Sequence, residues 1–495
     1  MRMSRIAKAA PTLLLSVLGV AATLELGACG GSDSSGDTRD AGGDAPPIWN
    51  APGAIVSVSP AENDDNVLVH TPIQITYNEP VTVTATSVTL SGPNSAVIAT
   101  TLQVSDDGKT VTVTPVSGVV PAPTKLTLAI NDIRTRRDSA PAQTKSWSWS
   151  VPAWLRVGDA LKSNTGEGFS TPTIAVGQGE QIYLAAGDNS GQMVVRTLDN
   201  YRGKWNVLAP LNGGRKTVLP DLLVDPNGTI FGSFADGVTA RVERWTGTQF
   251  IGSTDLGRVG EGFGPYWRSP TLTVDASGKL YAVYGSQTAN DQPIQVVVKS
   301  YANGVWSQEG DVLYQGADSG EYVTYPRIAL SKAGVPYVSY TAGQQVFVKV
   351  LSGDKKWTAI GGSVNPSGES STTSVGLAVD DTDRPVLFAC FNSAQLRRWD
   401  GGSWQTLGGT MTGKCDAVSA RLARISNSHL FAVWKTEDSK LRAVDVNGTA
   451  WMPVDLPRDP STDIDAADLS VDSTGRPNVE WLDRNGNLQV VRINR

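Results

Sequence analysis

Residues 154–158 read WLRVG, and the position of this pentapeptide decides how the chain folds. Related pieces recur downstream: Trp205-Asn-Val-Leu208, Trp306-Ser-Gln-Glu-Gly310, Trp357-Thr-Ala-Ile-Gly361, Trp404-Gln-Thr-Leu-Gly408 and Trp451-Met-Pro-Val454. Each later copy ends a unit of alternating strands. Trp154 has no such unit before it. Conversely, the last unit stops at Val490-Val-Arg-Ile-Asn-Arg495, where its third strand ends, with no Trp strand of its own. WLRVG therefore reads as the missing fourth strand of the last unit, brought round to close a ring and remove the unpaired edges an open array would leave.

The units are regular. Seven apolar runs align, at Pro172–Val176, Pro220–Val224, Pro270–Val274, Pro326–Leu330, Val375–Val379, Ala420–Arg424 and Ala467–Val471, with spacings of 48, 50, 56, 49, 45 and 47 residues. Polar turns such as Asp225-Pro-Asn-Gly228, Asp275-Ala-Ser-Gly278 and Asp472-Ser-Thr-Gly475 follow the runs. A second strand comes next, then a third pairing apolar with basic residues (Val298-Lys299, Val348-Lys349, Leu396-Arg397, Val491-Arg492), then the Trp strand, with Phe250 replacing Trp in unit two. Four strands per unit at this period predict a seven-bladed β-propeller over residues 153–495. At repeat level it resembles the lectin-like and kelch-like propellers of bacterial surface proteins.

Composition agrees with an all-β chain. The 495 residues include 51 Gly and 28 Pro, with 18% charged residues and a formal net charge of −6. No basic stretch is present, so nothing predicts a nucleic-acid partner.

The N-terminus reads as a targeting segment. Arg2, Arg5 and Lys8 precede the apolar stretch from Ala9 to Leu24, and Leu26-Gly27-Ala28-Cys29 follows. These residues resemble a bacterial lipobox. The resemblance implies a signal peptide over 1–28, lipidation of Cys29, and sorting to the outer membrane, since Gly30 and Gly31 rather than Asp follow the cysteine. Acyl chains contribute about 0.8 kcal/mol per buried CH₂, so the membrane is one expected partner. Residues 29–50 are rich in Gly, Ser and Asp and are expected to form a disordered tether.

Residues 51–152 alternate in short runs, with Asp106-Asp107-Gly108 marking a hairpin. Six to eight strands in this length predict a β-sandwich. Val58-Ser-Pro-Ala61, Thr71–Pro80, Asp107–Pro115 and Trp147-Ser-Trp-Ser150 resemble the bacterial Ig-like domain of surface-layer proteins. That resemblance implies a spacer or adhesion module.

Catalytic signatures are sparse. The two histidines, His70 and His429, fall in different domains, which argues against a Ser/His/Asp set or a histidine metal site. Acidic residues do recur before the inner strands: Glu167, Glu261, Glu321, Glu369, Asp416 and Asp465, with Lys216 in blade two. They are expected either to form a partial carboxylate ring at the channel mouth, able to take Ca²⁺ or sugar hydroxyls, or to cap loop amides and face water. Tyr266, Trp267, Arg268, Tyr322 and Tyr325, with Phe263 and Tyr314, fall in the two longest of these loops and suit stacking on sugar rings or packing between loops. Cys390 and Cys415 fall at neighbouring blade ends and predict one disulfide, the alternative being two separate buried thiols. The expected function is a monomeric, lipid-anchored envelope protein that binds a glycan or an envelope or extracellular protein, is not an enzyme, and needs no cofactor unless Ca²⁺. The alternative is an envelope hydrolase or lyase using carboxylates on the propeller face.

Overall fold

The computed structural model describes residues 51–162, 171–187, 192–199, 203–214, 218–259, 270–289, 292–317, 323–370, 375–391, 393–411, 415–426, 428–458 and 461–495. The expected signal peptide over 1–28, Cys29 and the expected tether over 29–50 lie outside the described residues. Among these residues the chain is all β, with short 3₁₀ turns and no α-helix.

The first domain is a sandwich of two four-stranded antiparallel sheets. One orders Ile55–Ser59, Ile73–Tyr77, Thr110–Pro115 and Thr100–Val104; the other orders Ser146–Val151, Thr124–Ile130, Val88–Ser91 and Val97–Ile98. Alternation places Leu126, Leu128 and Ile130 inside, against Ile75, Tyr77, Val111, Trp147 and Trp149. At the hairpin, Gly108 takes φ +76° and its N–H donates to Ser105 O at 2.8 Å.

Seven further sheets follow, each built on four strands in sequence order except the last; a short fifth strand, Tyr314–Gln315, joins the third sheet and another, Leu161–Lys162, joins the last. Their inner strands are Thr173–Val176, Val218–Val224, Thr271–Val274, Val323–Leu330, Val375–Val379, Cys415–Ser426 and Ile464–Val471. Each inner strand touches the next, and Ile464–Val471 touches Thr173–Val176, so the seven blades close into a ring. The first strand of that region, Trp154–Arg156, is the outer strand of blade seven. Trp154 pairs with Ile493, Leu155 with Arg492 and Arg156 with Val491, and Val157 N–H donates to Val490 O at 2.9 Å.

The recurring Trp and Gly of the opening motif belong to one cross-blade contact. Gly158, at φ +68°, ends the outer strand of blade seven, and a Cβ there would sit 2.6 Å from Nε1 of Trp205 in blade one. The Trp205 indole N–H donates to Asp159 O at 3.0 Å. The arrangement repeats where Trp357 donates to Glu309 O at 3.2 Å and Trp404 to Ile360 O at 3.1 Å. Glycine is required because the indole of the next blade occupies the space of a side chain. Trp154 in turn packs on blade six, 5.8 Å from the Phe431 ring and against Val454 and Leu456. WLRVG thus completes blade seven, docks on blade six and receives blade one.

Aspartates close the turns between inner and second strands. Oδ1 of Asp225, Asp380 and Asp472 accepts backbone N–H groups two and four residues on, at 2.7–3.0 Å. Such Asx turns account for these buried acids without a ligand.

Candidate active site

The second residue of each aligned run occupies one level of the ring. Read round the blades, these residues are Thr173, Asp221, Thr271, Arg327, Gly376, Arg421 and Asp468. Four are charged. The inner strands surround the central channel of a propeller, so this level is where the channel holds its chemistry.

The side chains bridge blades. Asp468 of blade seven accepts from Thr173 Oγ1 at 2.8 Å and from Ile174 N–H at 3.2 Å, both in blade one, and pairs with Arg421 Nε of blade six at 2.5 Å. Asp221 of blade two accepts from Leu272 N–H of blade three at 2.8 Å. Arg327 of blade four donates to Thr271 Oγ1 at 3.2 Å and to Val375 O at 3.3 Å. The two aspartates therefore play the same backbone role at equivalent positions, yet differ in what else they hold. Asp468 is buried and engaged by three donors. Asp221 is half-buried, with one oxygen on Leu272 and, among the described residues, no hydrogen-bond partner on the other.

Electrostatics separates them further. Burial, aided by the charge of Asp468, pushes the Asp221 carboxyl up to about 6, against the Leu272 N–H and the guanidinium groups of Arg327 and Arg421. Asp221 thus exchanges a proton near neutrality. Behind Asp468, on the second strand of blade seven, lies Glu480, fully buried and with no hydrogen-bond partner on either oxygen among the described residues. Burial first, and Asp468 second, hold it well above the usual carboxylate range.

The residues expected from sequence fall elsewhere. Glu167, Lys216, Glu261, Tyr266, Trp267, Arg268, Glu321 and Tyr322 lie outside the described residues. Tyr325 and Asp416 fall on the inner strands Val323–Leu330 and Cys415–Ser426, without described side chains. Glu369 is half-buried in the loop before blade five, where its backbone O accepts from Asn365 Nδ2 at 3.1 Å. Asp465 is the second residue of the inner strand of blade seven, and its backbone O accepts from Lys435 Nζ at 3.3 Å. Tyr314 packs on Tyr340, ring centres 5.1 Å apart. The charged ring that the described residues display is on the inner strands, one level deeper than the loops. The signal for it was present: a charged side chain at the second position of four apolar runs. Among the described residues no group of three or more His, Cys, Asp or Glu side chains is arranged to hold a metal ion. Cys390 and Cys415 are joined by a disulfide, Cα atoms 5.6 Å apart, linking blades five and six within a cluster that includes Phe388, Leu396 and Trp434.

Residues 50–151 match the bacterial Ig-like domain family. The first domain is a bacterial Ig-like domain. No curated protein matches the sequence. Among solved structures, the chain is similar to the polysaccharide lyase Uly1 at 12% identity and TM-score 0.45, covering 70% of this chain and 93% of that one. It is also similar to Penicillium chrysogenum alpha-L-arabinanase complexed with arabinobiose at 12% identity and TM-score 0.43, covering 69% of this chain and 99% of that one. The Aleuria aurantia lectin AAL in complex with Fucalpha1-6GlcNAc matches at 13% identity and TM-score 0.38, covering 58% of this chain and 95% of that one. The expectation that the chain is not an enzyme is corrected here. Two of these three structures are enzymes. Loop patterns and histidine counts, on which that expectation rested, do not sample carboxyl groups held on inner strands.

Proposed function

We propose that this protein is an envelope-associated enzyme that cleaves glycan chains, by hydrolysis or by elimination, in its propeller channel. One observation carries the reading. Of two equivalent aspartates, Asp468 is committed to Arg421 and blade one, while Asp221 keeps one oxygen unbonded and titrates at about 6. A carboxyl poised near the working pH serves as general acid or base. In hydrolysis protonated Asp221 gives its proton to the glycosidic oxygen as the C–O bond breaks, and water adds at the anomeric carbon and returns a proton to Asp221; in elimination ionised Asp221 takes the proton next to a sugar carboxyl as a C=C bond forms and the glycosidic oxygen leaves, protonated by water. Thr173 and Thr271 with the two arginines and two aspartates offer both donors and acceptors, which suits a polyhydroxylated ligand. Lipidation at Cys29, an outer-membrane address and a glycan partner belong to the same reading, and the Cys390–Cys415 bridge suits an oxidising compartment.

The test is an assay of the protein on a panel of neutral and uronate-bearing polysaccharides, reading new reducing ends and, separately, ultraviolet absorbance of unsaturated ends. Reducing ends alone mark hydrolysis; both together mark elimination. Asp221→Asn should lower turnover by roughly 100-fold or more. Turnover of a glycan that is unaffected by Asp221→Asn, or no turnover on any, overturns the proposal.

A further inference from the structure

Glu480 is the one fully buried carboxyl of the propeller with no hydrogen bond among the described residues to either oxygen. It stands directly opposite Asp468 in the antiparallel pairing of Ile464–Val471 with Pro477–Asp483. Opposed residues of paired strands project to the same face, a few ångströms apart. Two ionised carboxylates so placed, away from water, destabilise the pair. The surrounding elements supply little to offset this. On the far side the residue opposite Glu480 is Val490. The inner strand of blade one contributes Thr173 and Ile174, both already bonded to Asp468. The ionisable groups that act on Glu480 are Asp468, which opposes its charge, and Arg421, which favours it but is paired with Asp468.

We propose that Glu480 is a positioning residue of the channel: buried directly opposite Asp468, it decides by its charge whether that carboxylate stays committed to Arg421 and to the edge of blade one. The blade seven–blade one seam stays closed on the Asp468–Thr173 and Asp468–Ile174 bonds, and Asp221 is left as the proton-exchanging group. This deepens the enzyme reading in its catalytic consequence, while the state of Glu480 and of the seam stands apart from it. Ionisation of Glu480 at high pH would set two like charges against one guanidinium and weaken Asp468's hold on Ile174. Because the folded protein keeps the Glu480 proton to higher pH than the unfolded chain does, this contribution is intact below the unfolded value and is lost as pH rises.

Two measurements on the intact protein test the proposal without a substrate. Thermal unfolding of wild type and Glu480→Gln, an isosteric uncharged side chain, is followed from pH 4 to pH 9. The variant should match wild type at pH 4 and exceed it by several degrees at pH 8. Hydrogen exchange at the Ile174 amide should accelerate with pH beyond its intrinsic slope in wild type but not in Glu480→Gln. Parallel pH curves for both proteins in both measurements would overturn the proposal. A second variant, Glu480→Leu, guards against a packing artefact: it should also flatten the Ile174 pH dependence, whatever its overall stability. Where turnover is found, Glu480→Gln should retain it at pH 5–6 and extend it to higher pH. Loss of turnover in Glu480→Gln with unchanged melting and exchange would make Glu480 a catalytic residue and overturn the positioning role. Absence of turnover with the expected melting and exchange curves sinks the enzyme reading alone.

Discussion

Asn494 Oδ1 accepts the backbone N–H of Val69 at 3.0 Å, so the penultimate residue of the propeller is bonded to the Ig-like domain. Asn494 Nδ2 donates to Val67 O at 2.9 Å and to Pro152 O at 2.8 Å. Nearby, the Asn66 side chain meets the edge of the closing strand from the other direction. Its Oδ1 accepts Arg156 N–H at 2.8 Å and its Nδ2 donates to Arg156 O at 3.2 Å. The loop of the Ig-like domain thereby covers the edge that WLRVG would otherwise present. The two domains meet through amide groups that satisfy each other's backbone.

Asn494→Ala leaves a buried N–H and a buried C=O without partners, which costs about 2–4 kcal/mol. Urea unfolding followed by tryptophan fluorescence should show the midpoint fall, and the single transition separate into two as the Ig-like domain uncouples. An unchanged midpoint would mean that the junction carries no stability.

Gly361 tests the cross-blade docking. It sits at φ +66°, and a Cβ there would lie 2.5 Å from Trp399 Cζ3. Gly361→Ala combines backbone strain with a clash against an aromatic ring and should destabilise by about 2 kcal/mol or more. The adjacent Gly362 has nothing within 4 Å of a built Cβ, so Gly362→Ala should stay within about 0.5 kcal/mol of wild type. Calorimetry of the two variants side by side provides the comparison.

The Cys390–Cys415 bridge spans a sequence separation of 25. Closing a loop of that size restricts the unfolded chain by roughly 3 kcal/mol in the chain-entropy view. The double variant Cys390→Ser/Cys415→Ser should melt lower by that equivalent, and wild type in reductant should shift towards it.

Asp221 makes stability depend on pH. Its folded value, about 6, lies above that of a free aspartate because burial disfavours the charge. The folded protein therefore holds the proton longer, and stability is greatest below the unfolded value of about 3.9 and falls as pH rises through 6. Asp221 retains partial contact with solvent, so the loss between pH 4 and pH 7.5 amounts to about 1–2 kcal/mol. Asp221→Asn should remove that slope. An identical slope in the variant would place the titration on another group.

The architecture was legible because it is written as a period. Apolar runs about 49 residues apart, turn residues after each, and a Trp strand displaced to the front determine seven blades and the way the ring closes, since each signal is local and repeated. The Ig-like domain was legible for the same reason, from alternation and its hairpin. The channel chemistry is different in kind. Asp221, Arg327, Arg421 and Asp468 are scattered over some 250 residues and become neighbours only when the inner strands close around one axis. Which of two equivalent aspartates is bonded and which exchanges protons depends on the donors that neighbouring blades bring within 3.2 Å, as Thr173, Ile174 and Arg421 do for Asp468. Protonation is set by burial and by charges from distant parts of the chain, and neither quantity exists until the ring is complete.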